Sequence, residues 1–213
     1  MAVAGGASIF DAEALRYDSN GNSVIVGLDN GCEIQAKRVV LATGYVMPDF
    51  VRTELHKTAS SWAIATPPQT PDVAWRDGVL IWEASEDYLY ARTTADNRII
   101  IGGEDDDTIT ELADRDALMA EKSEAILRTL KALGPNANAV ADFVWSGAFG
   151  ETQDGLPLIG AVPGHPRLFA AYGYGGNGIT FSFLASRLIG RMIGGRRESW
   201  YDDFAIDRPG VRG

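Results

Sequence analysis

The stretch with the most chemical capacity in this sequence is Leu168-Phe-Ala-Ala-Tyr-Gly-Tyr-Gly-Gly-Asn-Gly-Ile-Thr180. An apolar strand, Leu168 to Tyr172, runs into a turn holding Gly173, Gly175, Gly176 and Gly178. A helix follows, carrying Ile179, Phe183, Leu184, Leu188 and Ile189. The first N–H groups of a helix lack internal partners, and its dipole places partial positive charge there. An electron-rich ligand can sit on such an end. Glycines let a flat ring approach the backbone, while Asn177 and Thr180 are placed to cap the helix or hydrogen-bond the ligand. A glycine turn that only makes the fold reads the same way, so the motif depends on its context.

Elsewhere, alternation along Tyr88-Leu-Tyr-Ala-Arg92 predicts that Tyr88, Tyr90 and Arg92 share one sheet face. An arginine beside two phenols suits a carboxylate, which a guanidinium holds as a bidentate pair. A solvated arginine on an exposed face is the plainer alternative. The run Glu104-Asp-Asp-Asp107 is expected to be a solvated loop leading to a helix N-terminus rather than a metal site. His56 and His165 have no ligand spacing and are expected at the surface, so no metal is expected. The single cysteine, Cys32, excludes an internal disulfide, fits a reducing compartment and sits in a turn, where it is expected to be incidental.

These residues must be positioned by a chain of 213 residues, 46% hydrophobic, enough for one large or two small domains. The formal charge of −10 argues against nucleic-acid binding. Arg196-Arg197 is expected to finish a helix. No apolar run reaches bilayer length and no basic-then-apolar leader opens the chain, which points to a soluble, cytoplasmic protein.

Residues 1–50 read as a β-meander, with strands at Ala7–Phe10, Ala14–Tyr17, Ser23–Leu28 and Glu33–Ala36 and a turn at 18–22. Arg38-Val-Val-Leu-Ala-Thr-Gly-Tyr45 follows as a strand buried on both faces. Residues 51–144 read as an antiparallel sheet, with strands at Ser61–Thr66, Gly78–Glu83, Tyr88–Arg92 and Arg98–Gly103. One helix then spans Thr110–Leu133, stopped by Gly134-Pro135 and burying Leu118 or Met119, Ile126, Leu130 and Leu133. Residues 145–213 return to the first region. The fold class is mixed α/β (α+β).

Upstream of the glycine turn lies Trp145-Ser-Gly-Ala-Phe-Gly-Glu-Thr-Gln-Asp-Gly-Leu-Pro-Leu-Ile-Gly160. Together the two blocks resemble the C-terminal pattern of FAD-dependent oxidoreductases of the D-amino-acid oxidase and glycine oxidase (DAO) type: W-x-G, then D-G-x-P-x-I-G, then a strand ending in G-H-G-G-N-G-I or a near variant. The resemblance implies that Trp145, Gly147 and the turn Gly173, Gly175, Gly176, Asn177, Gly178, Ile179 and Thr180 lie near the flavin ring. The helix end there would stabilise the negative charge of reduced flavin. It further implies that Ala42-Thr43-Gly44 and Ala14 approach the adenosine half, and that the sheet of residues 51–144 is a substrate domain covering the flavin.

Two positions depart from the pattern. Phe149 stands where such oxidases often carry the arginine that grips the substrate carboxylate, and Tyr174 stands where histidine is common. Arg92 with Tyr90 is then the candidate carboxylate contact for a small-molecule amine or amino-acid substrate, with a secondary amine, a larger amino acid or a different hydroxylated substrate also open. The reaction implied is hydride removal from the carbon beside an amine, with FAD held non-covalently because Cys32 lies far from the ring elements. The strand, G-x-G-x-x-G and helix with which the family begins do not open this chain. The expectation is a fragment, inactive alone, that awaits a missing N-terminal FAD-binding segment; the alternative is a non-catalytic binding module that kept the fold without the cofactor.

Overall fold

A computed structural model describes residues 3–19, 21–51, 53–73, 78–85 and 88–210. The expected turn residue Asn20 lies outside them. The chain forms two compact units, residues 1–55 with 153–213, and residues 56–152.

In the first unit, β1 (Ala14–Ser19), β2 (Val24–Leu28) and β3 (Glu33–Ala36) form the antiparallel meander. Ala7–Phe10 is not a strand. Nothing pairs with it among the described residues, and Ile9 and Phe10 are 84% and 68% exposed. A second sheet has the order β10 (Leu158–Val162), β11 (His165–Tyr172), β4 (Val39–Leu41), with β4 parallel to β11. The expected strand from Arg38 to Tyr45 thus shrinks to three residues at a sheet edge. It is not buried on both faces, since Val40 is 43% exposed. The core of this unit gathers Val24, Val26, Leu41, Val51, Leu158, Leu168, Tyr172 and Ile206.

From β11 the chain passes through the glycine turn into α3 (Gly178–Ile193), which buries Ala185, Leu188 and Ile189 against Ile159, Phe169 and Ala171. Ile179 and Phe183, expected on the apolar face, are instead 91% and 68% exposed. They lie at the helix's first turns, on a different side from Ala185, Leu188 and Ile189. The helix ends at Ile193, before Arg196-Arg197. Its last turn carries Arg191, and Arg197 pairs with Asp202.

The second unit is one antiparallel sheet of five strands, ordered β6 (Leu80–Trp82), β7 (Tyr90–Thr93), β8 (Ile99–Asp106), β5 (His56–Ala65), β9 (Phe143–Thr152). The strand β9 pairs with β5 over ten residues, His56 opposite Thr152 through Ala65 opposite Phe143. This moves Trp145–Thr152 out of the expected 145–213 return and into the sheet. Sequence boundaries at 50 and 144 therefore become 55 and 152.

The expected single helix is two, α1 (Leu112–Ala117) and α2 (Met119–Leu133). At the break the Trp62 indole N–H, distant in sequence, donates to the Arg115 carbonyl at 3.2 Å, an acceptor that a continuous helix would use. Helix α2 covers one sheet face, where Ile126 and Leu130 meet Trp62, Ile64, Ala91, Ile99 and Ile101. Leu133, expected on that face, is 48% exposed. The acidic run is not a loop but the end of β8, with a bulge in which Glu104 adopts φ +57°. His56 is half-buried rather than exposed: its ring packs against Gly150, where a side chain would occupy the same space. His165 stacks on Phe50, ring centres 4.9 Å apart.

Candidate functional site

Two groups of residues come together, one in each unit. In the first unit the turn after β11 holds Gly173, Tyr174, Gly175, Gly176 and Asn177, and α3 begins at Gly178. The glycines differ in what demands them. Gly173 (φ +71°) and Gly175 (φ +51°) adopt left-handed backbone that suits glycine. Gly176 and Gly178 do not. A Cβ on either would meet no heavy atom within 4 Å. The fold has no steric need for them, so they leave an open space directly on a helix N-terminus.

That end also keeps its donors. Of its two expected roles Asn177 does not take the first, since its side chain makes no cap; its backbone N–H donates to the Tyr174 carbonyl and its carbonyl accepts from Phe181 N–H. The first-turn N–H groups remain for an outside acceptor. Tyr174 flanks the turn with its ring 6.3 Å from Phe181, and burial raises its pKa, so it stays a neutral phenol.

Ala42-Thr43-Gly44 is the loop after β4, with Gly44 at φ +72° and the Thr43 hydroxyl donating to Met47 Sδ at 3.2 Å. Because β4 runs parallel beside β11, this loop and the glycine turn leave the same end of one sheet. Ala14 is the exposed first residue of β1.

Groups that the sequence did not flag hold the segment before β10 and the end of β11. Asp154, the acid of D-G-x-P, accepts from Arg208 in a bidentate pair, both contacts 2.8 Å, with the guanidinium 5% exposed. Arg208 also donates to the Leu156, Pro157 and Ala205 carbonyls. The Tyr172 hydroxyl, at the end of β11, donates to the Val51 carbonyl at 2.8 Å, and burial pushes its pKa up to about 12. The Asp154–Arg208 separation of 54 residues gives no local signal.

In the second unit, the sheet face opposite α2 sets residues of all five strands in rows. Trp82 is opposite Tyr90, Tyr90 opposite Gly102, Gly102 opposite Ala63, and Ala63 opposite Trp145. The next row is Leu80, Arg92, Ile100, Ala65 and Phe143. Directly opposite residues share a face, so Tyr90, Arg92 and Trp145 share one, with Trp145 three strands along from Tyr90, about 14 Å at the usual strand spacing. By alternation Gly147, opposite Ser61, and Phe149, opposite Ala59, belong to the same face. Gly102 lets the Tyr90 ring lie across the neighbouring strand, since a Cβ there would overlap the phenol. Tyr88 donates to Asp105 at 2.6 Å; burial first and Asp105 second raise its pKa. No group of three or more metal-binding side chains occurs among the described residues.

The family model described as FAD dependent oxidoreductase (DAO) matches residues 1–192. The chain belongs to this family. It is 28% identical over 207 residues to the gamma-glutamylputrescine oxidoreductase of Escherichia coli (strain K12), covering 94% of this chain and 46% of that protein. It is 34% identical over 126 residues to a D-amino acid dehydrogenase of Granulibacter bethesdensis, covering 58% of this chain and 29% of the relative. Among solved structures, glycine oxidase from Geobacillus kaustophilus matches 98% of this chain and 55% of its own, at TM-score 0.75 and 21% identity. Iminodiacetate oxidase from Chelativorans sp. BNC1 matches 100% and 56%, at TM-score 0.78 and 17% identity. The chain thus spans about half the length of these solved structures and less than half of these curated relatives. The DAO-type fold expected from sequence is the fold found, and FAD is the cofactor of the family. No helix among the described residues is long and apolar enough to cross a membrane.

Proposed function

We propose that these 213 residues supply the flavin-ring turn and the substrate-reading sheet face of an oxidoreductase that oxidises the C–N bond of an amine or amino acid. When bound, FAD supplies the hydride acceptor. The observation that carries the reading is the pair Gly176 and Gly178, glycines that the backbone does not require, opening space on an uncapped helix end.

Each group has a task that its surroundings fit. The α3 N–H groups present fixed partial positive charge to the electron-rich edge of a ring, without reorganising during reaction. Gly176 and Gly178 admit the ring, Tyr174 flanks it, and the Ala42-Thr43-Gly44 loop takes the adenosine side. Arg92 holds a substrate carboxylate, while Tyr90, Trp145 and Phe149 pack its apolar part. Hydride leaves only from the carbon beside a neutral amine, so a substrate bound as an ammonium first gives its proton to a neighbouring carboxylate or to water. In this reading the residues form a share of the catalytic unit and are inactive by themselves.

The test is anaerobic reduction of protein expressed from the full reading frame and loaded with FAD. Amines or amino acids are expected to bleach the visible flavin band, and the matching 2-hydroxy acids are not. Bound FAD that no amine bleaches, or that hydroxy acids bleach equally well, refutes the reading.

A further inference from the structure

The sheet face opposite α2 is electrically polarised along its strands. At one end Arg92 is exposed, its side chain makes no hydrogen bond or ion pair with any described residue, and its cross-strand neighbours Leu80 and Ile100 are apolar. A guanidinium left without a partner between aliphatic side chains is a ready carboxylate contact. At the other end the charge is negative. Lys57 is shared by Asp107 at 2.9 Å and Glu151 at 3.1 Å, so one cation faces two carboxylates. Asp105 has no ion pair among the described residues; it accepts the Tyr88 phenol at 2.6 Å and lies near enough to act on Tyr90 as well. Between the two ends lie aromatic rings, Trp82 and Tyr88 with centres 6.3 Å apart and Tyr88 and Tyr90 6.5 Å apart.

We propose that this face binds an extended zwitterion, an ω-amino acid or a longer ω-aminoalkyl relative, with its carboxylate on Arg92 and its protonated amine on Asp105. The link between the charges lies over Trp82, Tyr88 and Tyr90. Tyr88 lies two residues before β7, and the four residues from there to Arg92 span at most about 13 Å of extended chain. Allowing a hydrogen-bond length of about 3 Å at each end leaves roughly 6–8 Å between the charged atoms of the ligand. A compact α-amino acid cannot reach both. The rings suit the ammonium end as well, because a cation over an aromatic face is attracted to it. The proposal deepens the amine-oxidising reading and rests on Arg92 as the carboxylate contact. Asp105 is a specificity-determining residue in it.

The experiment pairs calorimetric binding with flavin bleaching. Probes are glycine, 4-aminobutyrate, 6-aminohexanoate, 8-aminooctanoate and 11-aminoundecanoate, with hexylamine and hexanoate as controls lacking one charge. Affinity for the 213-residue chain is expected to peak at 6-aminohexanoate and to fall roughly tenfold or more when either charge is removed from the probe. Arg92→Gln should abolish the preference for the carboxylate and spare that for the amine. Asp105→Asn should do the reverse, and Tyr88→Phe should weaken the amine end alone. A flat length series, or variants that affect both ends equally, overturns the proposal. The same probes are given anaerobically to the FAD-loaded protein from the full reading frame. Bleaching by amines without a length optimum sinks the proposal and leaves the amine-oxidising reading standing. A length optimum in binding with no bleaching by any amine supports the proposal and sinks that reading.

Discussion

Replacing Gly176 by valine separates a glycine kept for a ligand from one kept for the backbone. In the structure a Cβ at Gly176 touches nothing within 4 Å and the residue does not occupy left-handed space. The substitution should therefore leave the fold within about 0.5 kcal/mol of wild type, or slightly more stable through a stiffer unfolded chain. Gly175, one residue earlier, has φ +51°. Valine there costs about 1–2 kcal/mol, which lowers the melting temperature of a chain this size by roughly 2–8 °C. The ligand effects run the other way. A valine side chain pushed into a closely packed ring contact costs about 1–3 kcal/mol, or roughly 5- to 150-fold in the dissociation constant of FAD. The assay is FAD titration and thermal melting of both variants in protein expressed from the full reading frame. Gly176→Val with normal FAD affinity refutes the assignment of the turn to the flavin. Equal losses of melting temperature in the two variants refute the reasoning about which glycine serves the fold.

Three further outcomes are expected. The 213-residue chain alone should bind FAD weakly, because it presents ring and adenosine contacts but does not open with the glycine loop and helix that hold a pyrophosphate; saturable quenching of flavin fluorescence at sub-micromolar FAD would contradict this. Asp154→Ala leaves the nearly buried Arg208 without its carboxylate and should destabilise by about 3–5 kcal/mol, whereas exposed Asp203→Ala should change stability by less than about 0.5 kcal/mol; similar melting temperatures for the two would show that the pair does not hold the D-G-x-P segment. Tyr172 has its pKa raised from 10.0 to about 12 by burial, so the folded state keeps a proton that the unfolded state loses. Its contribution is complete below pH 10 and is lost as pH rises toward 12. Tyr172→Phe should therefore cost about 1–2 kcal/mol at neutral pH, through the unpaired Val51 carbonyl, and should flatten the fall in stability between those pH values; an unchanged alkaline profile would point to other groups.

What the sequence determined was local. The passage from Leu168–Tyr172 into glycines and then a helix is written in neighbouring residues, because strand period, turn chemistry and helix period each need only a short window. The same holds for the meander strands and for the helix stop at Gly134-Pro135. Locality also explains the errors. Ala7–Phe10 has strand composition, but a strand exists only by its partner, and nothing pairs with it among the described residues. The helix from Thr110 is broken where the indole of Trp62, 53 residues away in sequence, engages the Arg115 carbonyl.

The tertiary structure decided which motifs share a surface. Trp145 read as part of the return to the flavin side, yet its ten-residue pairing with β5 puts it in a row with Tyr90 and Trp82. A strand's own alternation fixes which residues point together but carries no record of which strand lies beside it. Likewise four glycines in one turn look alike in the sequence. Only backbone dihedrals and neighbouring atoms distinguish Gly173 and Gly175, which satisfy positive φ, from Gly176 and Gly178, which leave room for a ligand.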